Sequence, residues 1–174
     1  MSGERLVLPA DGRQSETAQM IGRGVRRLLR ARGFSSLTEL PLVDGRRADI
    51  VAVNGEGEVL IVEIKSSPAD LRADRKWRDY AACCDRLYFA ISEATPAEIM
   101  PSEAGLIVAD PYGAEILREA DLQRMASARR RALLLRFAQA AAGSDDGWSR
   151  SRRSSSAAAD GRGKRSADWL KAIL

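Results

Sequence analysis

Apolar residues recur at Ile21, Val25, Leu28 and Leu29, a spacing of i, i+4, i+7 and i+8 that predicts a helix over Ser15 to Arg32, stopped by Gly33. The pattern then changes period. Leu37 to Val43 and Arg47 to Val53 alternate as strands, separated by the hairpin-type dipeptide Asp44-Gly45. Asn54-Gly55-Glu56-Gly57 is a second tight turn, and Val59 to Lys65 is an apolar strand that ends in charge. Ser67-Pro68-Ala69-Asp70 reads as a helix start, with Ser67 as cap, Pro68 at the first helical position and Asp70 as capping-box acid; that helix is predicted to run to Cys84. Arg86 to Ile91 and Gly105 to Ala109 read as buried strands, and Asp110-Pro111-Tyr112-Gly113 turns the chain into a hairpin partner, Ala114 to Leu117. Leu122, Met125, Ala126, Leu133 and Phe137 predict a last helix over Asp121 to Ala142.

The predicted order is α-β-β-β-α-β-β-β-α, an α/β domain over residues 13–142 with a mixed sheet covered by helices. Residues 1–12 read as a flexible N-terminus, without the basic and apolar regions of a secretory signal, which leaves a cytoplasmic protein as the expectation. The most apolar stretch, Ala132 to Ala142, is broken by Arg136 and Gln139 and falls short of the roughly 20 residues a membrane span needs, so no membrane is expected. Residues 143–174 are rich in Ser, Ala, Gly and Arg and read as a disordered tail, whose end carries Trp169, Leu170 and Ile173 at spacings a short docking helix would use. No repeat interrupts this organisation.

Composition narrows the chemistry. The 174 residues contain no histidine, which removes Ser-His-Asp and Cys-His catalysis and the common zinc ligand sets. The two cysteines, Cys83 and Cys84, are adjacent, a spacing that suits neither an ordinary disulfide nor a metal knuckle. Net charge is +4, but the tail alone holds seven basic residues against four acids, or +3, so the body is nearly neutral. A basic tail can bind phosphates weakly or simply be solvated. Within the body, Arg23, Arg26, Arg27 and Arg30 form a basic helix face, either a contact for nucleic acid or a solvated surface.

What chemistry remains concentrates in Arg47 to Lys65. Strand alternation puts Glu63 and Lys65 on one face, about 7 Å apart, with Val62 and Ile64 on the other. A short turn lets the preceding strand bring Asp49 beside Glu63. Two carboxylates and a lysine in an apolar sheet need compensation, and two carboxylates around Mg²⁺ form a hard oxygen site open to water and a phosphate oxygen. Lysine would hold the attacking water or neutralise charge developing on the phosphate. A surface ion pair is the competing reading of a Glu-x-Lys; the Asp on the neighbouring strand, the tight turn and the helix that follows favour a site.

Ala48-Asp49 followed by Glu63-Ile64-Lys65 resembles the PD-(D/E)XK nuclease superfamily, with alanine in place of the nominal proline. The resemblance implies a restriction-endonuclease-like αβββαβ core, Mg²⁺ (with Mn²⁺ as substitute) held by Asp49, Glu63 and the Ile64 carbonyl, and Lys65 positioning the water. Lys76-x-x-x-Tyr80 resembles the Gln and Tyr pair of some branches, with Lys in the Gln position. Relatives carry a Glu on the first helix as a further ligand; here Glu16 lies too far upstream, the expected region is near Gly22, and Glu39 on the first strand is the substitute. From Arg26 to Ile91, through GRRADIVAVNGEG, VLIVEIKSS, ADRKWRDY and CDRLYFAI, and on to GLIVADPYGAEILRE, the body is similar to the MmcB family of bacterial DNA repair proteins. That similarity implies a DNA partner and other repair or mutagenesis proteins as further partners; on the basic helix face, Arg23, Arg27 and Arg30 are the candidate DNA contacts. The expected function is Mg²⁺-dependent phosphodiester hydrolysis on damaged or structured DNA; the alternative is a non-cleaving DNA-binding or adaptor module that keeps the fold. A metabolic α/β enzyme has little support, since no glycine-rich phosphate loop follows any strand.

Overall fold

A computed structural model describes residues 15–73 and 77–153. The first helix, α1 (Glu16–Ala31), is capped by Ser15, whose Oγ accepts the Ala18 N–H at 3.2 Å, and is ended by Gly33 in the left-handed region at φ 81°. Six strands follow: β1 (Phe34–Pro41), β2 (Arg47–Asn54), β3 (Val59–Ile64), β4 (Arg86–Ile91), β5 (Gly105–Ala109) and β6 (Ala114–Arg118). They form one sheet in sequence order, antiparallel from β1 to β3, parallel from β3 to β5, and antiparallel again at β5 and β6. The parallel step from β3 to β4 is bridged by α2 (Pro68–Ala73) and α3 (Arg78–Ala81), and the chain ends in α4 (Ser127–Arg153). This is the α/β fold with a mixed sheet flanked by helices, and its first part runs in the expected αβββαβ order.

Two apolar layers sandwich the sheet. On one face, Ile21, Val25 and Leu29 of α1 cover Ile50, Ala52, Val62, Ala90 and Ile107. On the other, Trp77 and Leu133 cover Val51, Ile61, Phe89 and Leu106, with the Trp77 and Phe89 rings edge-on at 5.5 Å. Each fully buried side chain of this size contributes about 1.5–3 kcal/mol, so the strands are held by both layers.

Several boundaries depart from the sequence pattern. Strand β1 starts at Phe34, because that ring packs on the α1 layer, and ends at Pro41 rather than Val43, where Leu42 donates its N–H to Arg46 O at 2.7 Å and closes the hairpin. The stretch predicted as one helix to Cys84 holds α2 and α3, with residues 74–76 between them outside the described residues, and α3 ends at Ala81, short of Cys84; its start is as expected, with Ser67 Oγ accepting the Asp70 N–H at 3.2 Å. Helix α4 begins at Ser127, not Asp121, because Asp85 takes the backbone donors of the preceding segment: Gln123 N bonds Asp85 O at 2.8 Å and Met125 N bonds Asp85 Oδ1 at 3.0 Å. Leu122, placed in the helical stripe, is exposed in that segment. At its far end α4 continues to Arg153, into the stretch read as disordered, as the alanine-rich run Ala138 to Ala142 favours by its helix propensity.

The chain divides into two compact units, Met1–Ala140 and Ala141–Leu174. In the second, the backbone is helical to Arg153; the predicted tail beyond it, the expected flexible N-terminus and the apolar end Trp169, Leu170 and Ile173 lie outside the described residues. Among the described residues no helix is long and apolar enough to cross a membrane.

Candidate active site

The register of β2 on β3 pairs Ile50 with Val62, so the next step toward the start of β2 sets Asp49 opposite Glu63. Two hydrogen bonds lock the pair: Glu63 Oε1 accepts the Asp49 N–H at 3.2 Å, and Asp49 Oδ2 accepts the Ile64 N–H at 2.8 Å. An extended residue presents its N–H and C=O to the same strand edge, so the Ile64 carbonyl also faces the Asp49 side. Alternation along β3 sends Glu63 and Lys65 to the Trp77 layer while Ile64 packs toward α1. Glu63 is 4% and Lys65 6% exposed. The Lys65 Nζ lies 5.7 Å from the centre of the Phe89 ring, and its backbone N–H is tied to Ala90 O at 2.9 Å.

Glu63 and Lys65 therefore share the Trp77 face of the sheet, and the two hydrogen bonds bring Asp49 against them; β2 does not alternate strictly here, since Ala48 and Val51 both lie in the Trp77 layer while Ile50 lies in the other. Burial raises the Asp49 pKa above the ordinary carboxylate range; the Ile64 N–H opposes this, the negative charge of Glu39 adds to it, and Lys65 and Arg47 oppose it in turn. Carboxylate and carbonyl oxygens are the donors a hard divalent cation takes, and such a cation would offset the burial of the pair. The donor set fits Mg²⁺ as a pair of carboxylates. Among the described residues no group of three or more His, Cys, Asp and Glu side chains gathers at metal-binding range.

The accessory candidates fall differently. Glu39 has a left-handed backbone at φ 56°, and its carboxylate contacts Arg47 Nε at 2.5 Å. The kink at Glu39 resets the strand's alternation, so that Leu37, Leu40 and Leu42 all pack into the Trp77 layer. Tyr80 packs on the same layer and its hydroxyl donates to Arg47 O at 3.2 Å, two residues before Asp49; Lys76 lies outside the described residues. Glu16 is exposed in the first turn of α1, on the layer away from the site, and a Cβ at Gly22 would meet Ile64 Cδ1 at 3.4 Å. The first helix thus brings no carboxylate to the pair. Arg23, Arg27 and Arg30 are likewise exposed on α1 and are not brought together with Asp49, Glu63 and Lys65.

A family model for DNA repair proteins of the MmcB-like type matches residues 7–145. The chain belongs to the MmcB-like family. Family membership carries DNA repair with it. A solved structure of a protein of unknown function from Silicibacter pomeroyi superposes with a TM-score of 0.71 at 44% identity, covering 75% of this chain and 89% of that one. A repair endonuclease from Pyrococcus abyssi is also similar, at 16% identity and a TM-score of 0.34, over 51% of this chain and 42% of that one. No curated protein matches the chain.

In this MmcB-like chain one buried acid escaped the sequence reading. Asp85, 2% exposed, accepts N–H bonds from Val59 at 2.8 Å and Met125 at 3.0 Å and a two-pronged contact from Arg130 at 2.6 and 2.7 Å. Burial works to raise its pKa, but Arg130 and the two backbone donors outweigh burial and hold it below the ordinary value. This is the anchor of α4 on the sheet; its one signal in the sequence is an Asp directly before an apolar strand. The thiols of Cys83 and Cys84 are both free, and burial pushes both pKa values up, which makes them poor nucleophiles.

Proposed function

We propose that this MmcB-like protein hydrolyses phosphodiester bonds of damaged or structured DNA with the help of Mg²⁺, for which Mn²⁺ can substitute. The observation that carries the reading is that Asp49 lies opposite Glu63 and within reach of the Lys65 charge, with Glu63 Oε1 accepting the Asp49 N–H and Asp49 Oδ2 accepting the Ile64 N–H. Asp49 and Glu63, with the Ile64 carbonyl, would hold the cation, which when bound supplies Lewis acidity and acidifies a coordinated water. Lys65 has the protein's own part: an ammonium on a stem buried beside Phe89 is pre-set to orient the water and to balance negative charge gathering on the phosphate. Water oxygen bonds to phosphorus, the phosphorus–oxygen bond to one nucleotide breaks, the water loses a proton and the departing oxygen gains one. Nothing in this sequence of events needs histidine.

The test is a panel of nicked, flapped, single-stranded and junction DNAs incubated with Mg²⁺ or Mn²⁺. Cutting by the wild type and loss of it in folded Asp49→Ala, Glu63→Ala and Lys65→Ala proteins is the expected result. Retained cutting by all three variants sinks the reading. A second reading, a DNA-binding or adaptor module that does not cut, is favoured by the absence of a third acidic ligand among the described residues; it predicts binding of the same DNAs, unaltered by Mg²⁺, and no products.

A further inference from the structure

Arg47 begins β2 two residues before Asp49, so the two side chains leave the same face of the strand about 7 Å apart. Its proximity is electrostatic as well as geometric: Arg47 is among the charges that favour the ionised form of Asp49. Unlike Lys65, the Arg47 side chain is 52% exposed. Glu39 engages it through Nε at 2.5 Å, and Nη1 and Nη2 take no hydrogen-bond partner among the described residues. Its backbone is fixed too, since the Tyr80 hydroxyl donates to the Arg47 carbonyl at 3.2 Å.

The device that sets this geometry is Glu39. A glutamate with φ 56° occupies backbone space that L side chains seldom adopt, and the kink is what turns β1 so that its carboxylate meets Arg47. The result is a guanidinium held at its inner nitrogen, with its outer fork turned to solvent at the rim of the carboxylate pair. A planar fork of N–H donors suits the oxygens of a phosphodiester. Resting on the nuclease reading above, we propose that Arg47 binds the DNA backbone phosphate next to the site and that Glu39 is its positioning residue. This assigns Glu39 to the arginine rather than to the metal.

The experiment measures binding of a labelled nicked duplex across a salt series, without divalent cation, for the wild type and for Arg47→Ala, Arg47→Lys, Glu39→Gln and the Arg47→Ala/Glu39→Gln pair, each checked for folding by thermal melting. Releasing one phosphate from the protein lowers the slope of log affinity against log salt by about 0.9, and Arg47→Ala is expected to show this while Arg47→Lys restores most of it. Glu39→Gln is expected to weaken binding and, on a cleaved substrate, to raise KM more than it lowers kcat. In the double variant the Glu39 effect should vanish, because there is no arginine left to position. A wild-type slope in Arg47→Ala, full additivity in the pair, or no DNA binding by the wild type overturns the proposal. Asp49→Asn in the same series separates the two ideas: if it cuts like wild type, the nuclease reading falls while the Arg47 slope is still decided on binding alone.

Discussion

Asp49 is held where its charge is costly. Burial and the negative charge of Glu39 raise its pKa, and only the Ile64 N–H, Lys65 and Arg47 work the other way. A carboxyl whose folded pKa lies above its unfolded value contributes most at low pH and loses that contribution as pH rises through the folded value. Replacing Asp49 with Asn keeps an acceptor for the Ile64 N–H and removes the charge. We therefore expect Asp49→Asn to melt at the same temperature as the wild type below about pH 4, and higher than the wild type at neutral pH, in metal-free buffer. Adding Mg²⁺ should raise the wild-type melting temperature and leave the variant unmoved. Equal melting curves across the whole pH range would mean that Asp49 carries no stored cost. Lys65→Ala removes the ammonium aimed at the site and should lower kcat by about 10²–10³-fold where cutting is observed.

At the scale of elements, two contacts fix how helices meet the sheet. A Cβ at Gly24 would stand 2.2 Å from Asp110 O and 2.3 Å from Gly113 O, so α1 lies directly on the β5–β6 turn. Gly24→Ala should therefore destabilise by roughly 1–3 kcal/mol despite alanine's better helix propensity, whereas Gly22→Ala, which meets only Ile64 Cδ1 at 3.4 Å, should be neutral or gain up to about 1 kcal/mol; chemical denaturation of both resolves the pair. The second contact is Asp85 with Arg130. Breaking it by Asp85→Ala leaves a guanidinium and two backbone donors without their acceptor and should cost roughly 3 kcal/mol at pH 7. Because the folded pKa of Asp85 is lowered, its stabilisation is present above the ordinary carboxylate pKa near 4 and is lost as pH falls through the folded value, so the difference from wild type should shrink in acid. These contacts also mark where the sequence was opaque. Continuous apolar runs such as Arg86 to Ile91 and Gly105 to Ala109 were legible to the residue, since a strand buried on both faces shows as an unbroken apolar stretch. The start of α4 was not: an apolar stripe from Leu122 looks helical until Asp85, some forty residues earlier in the chain, captures the backbone of that segment. Glu63 and Lys65 could be grouped in advance because strand parity fixes their shared face, and one short turn sets Asp49 across from Glu63. The Glu39 kink, which changes parity within β1, has no such local rule.

Within the compact unit that ends at Ala140, the sheet stands between the carboxylate pair and the arginines of α1. Glu63 and Lys65 look toward the Trp77 layer, with Asp49 bonded to Ile64 N–H beside them, while Arg23, Arg26, Arg27 and Arg30 stand on the outer side of α1 beyond the opposite layer. A helix and a sheet interpose on the order of 15 Å between them, more than the Debye length of about 10 Å at 0.1 M salt. A straight duplex seated at the carboxylates cannot also lie along the outer face of α1. Changing all four α1 arginines to glutamine should then leave the salt slope of DNA binding unchanged and weaken affinity only at low ionic strength, through the long-range field. The other outcome has a distinct size: if DNA wraps the edge of the sheet and those four side chains grip phosphates, the slope should fall by about 0.9 for each phosphate no longer neutralised. A titration of the four-fold variant beside Arg47→Ala in 50 and 200 mM salt thus tells which surface meets the nucleic acid, and a drop in slope confined to the α1 variant would move the DNA to the far side of the molecule.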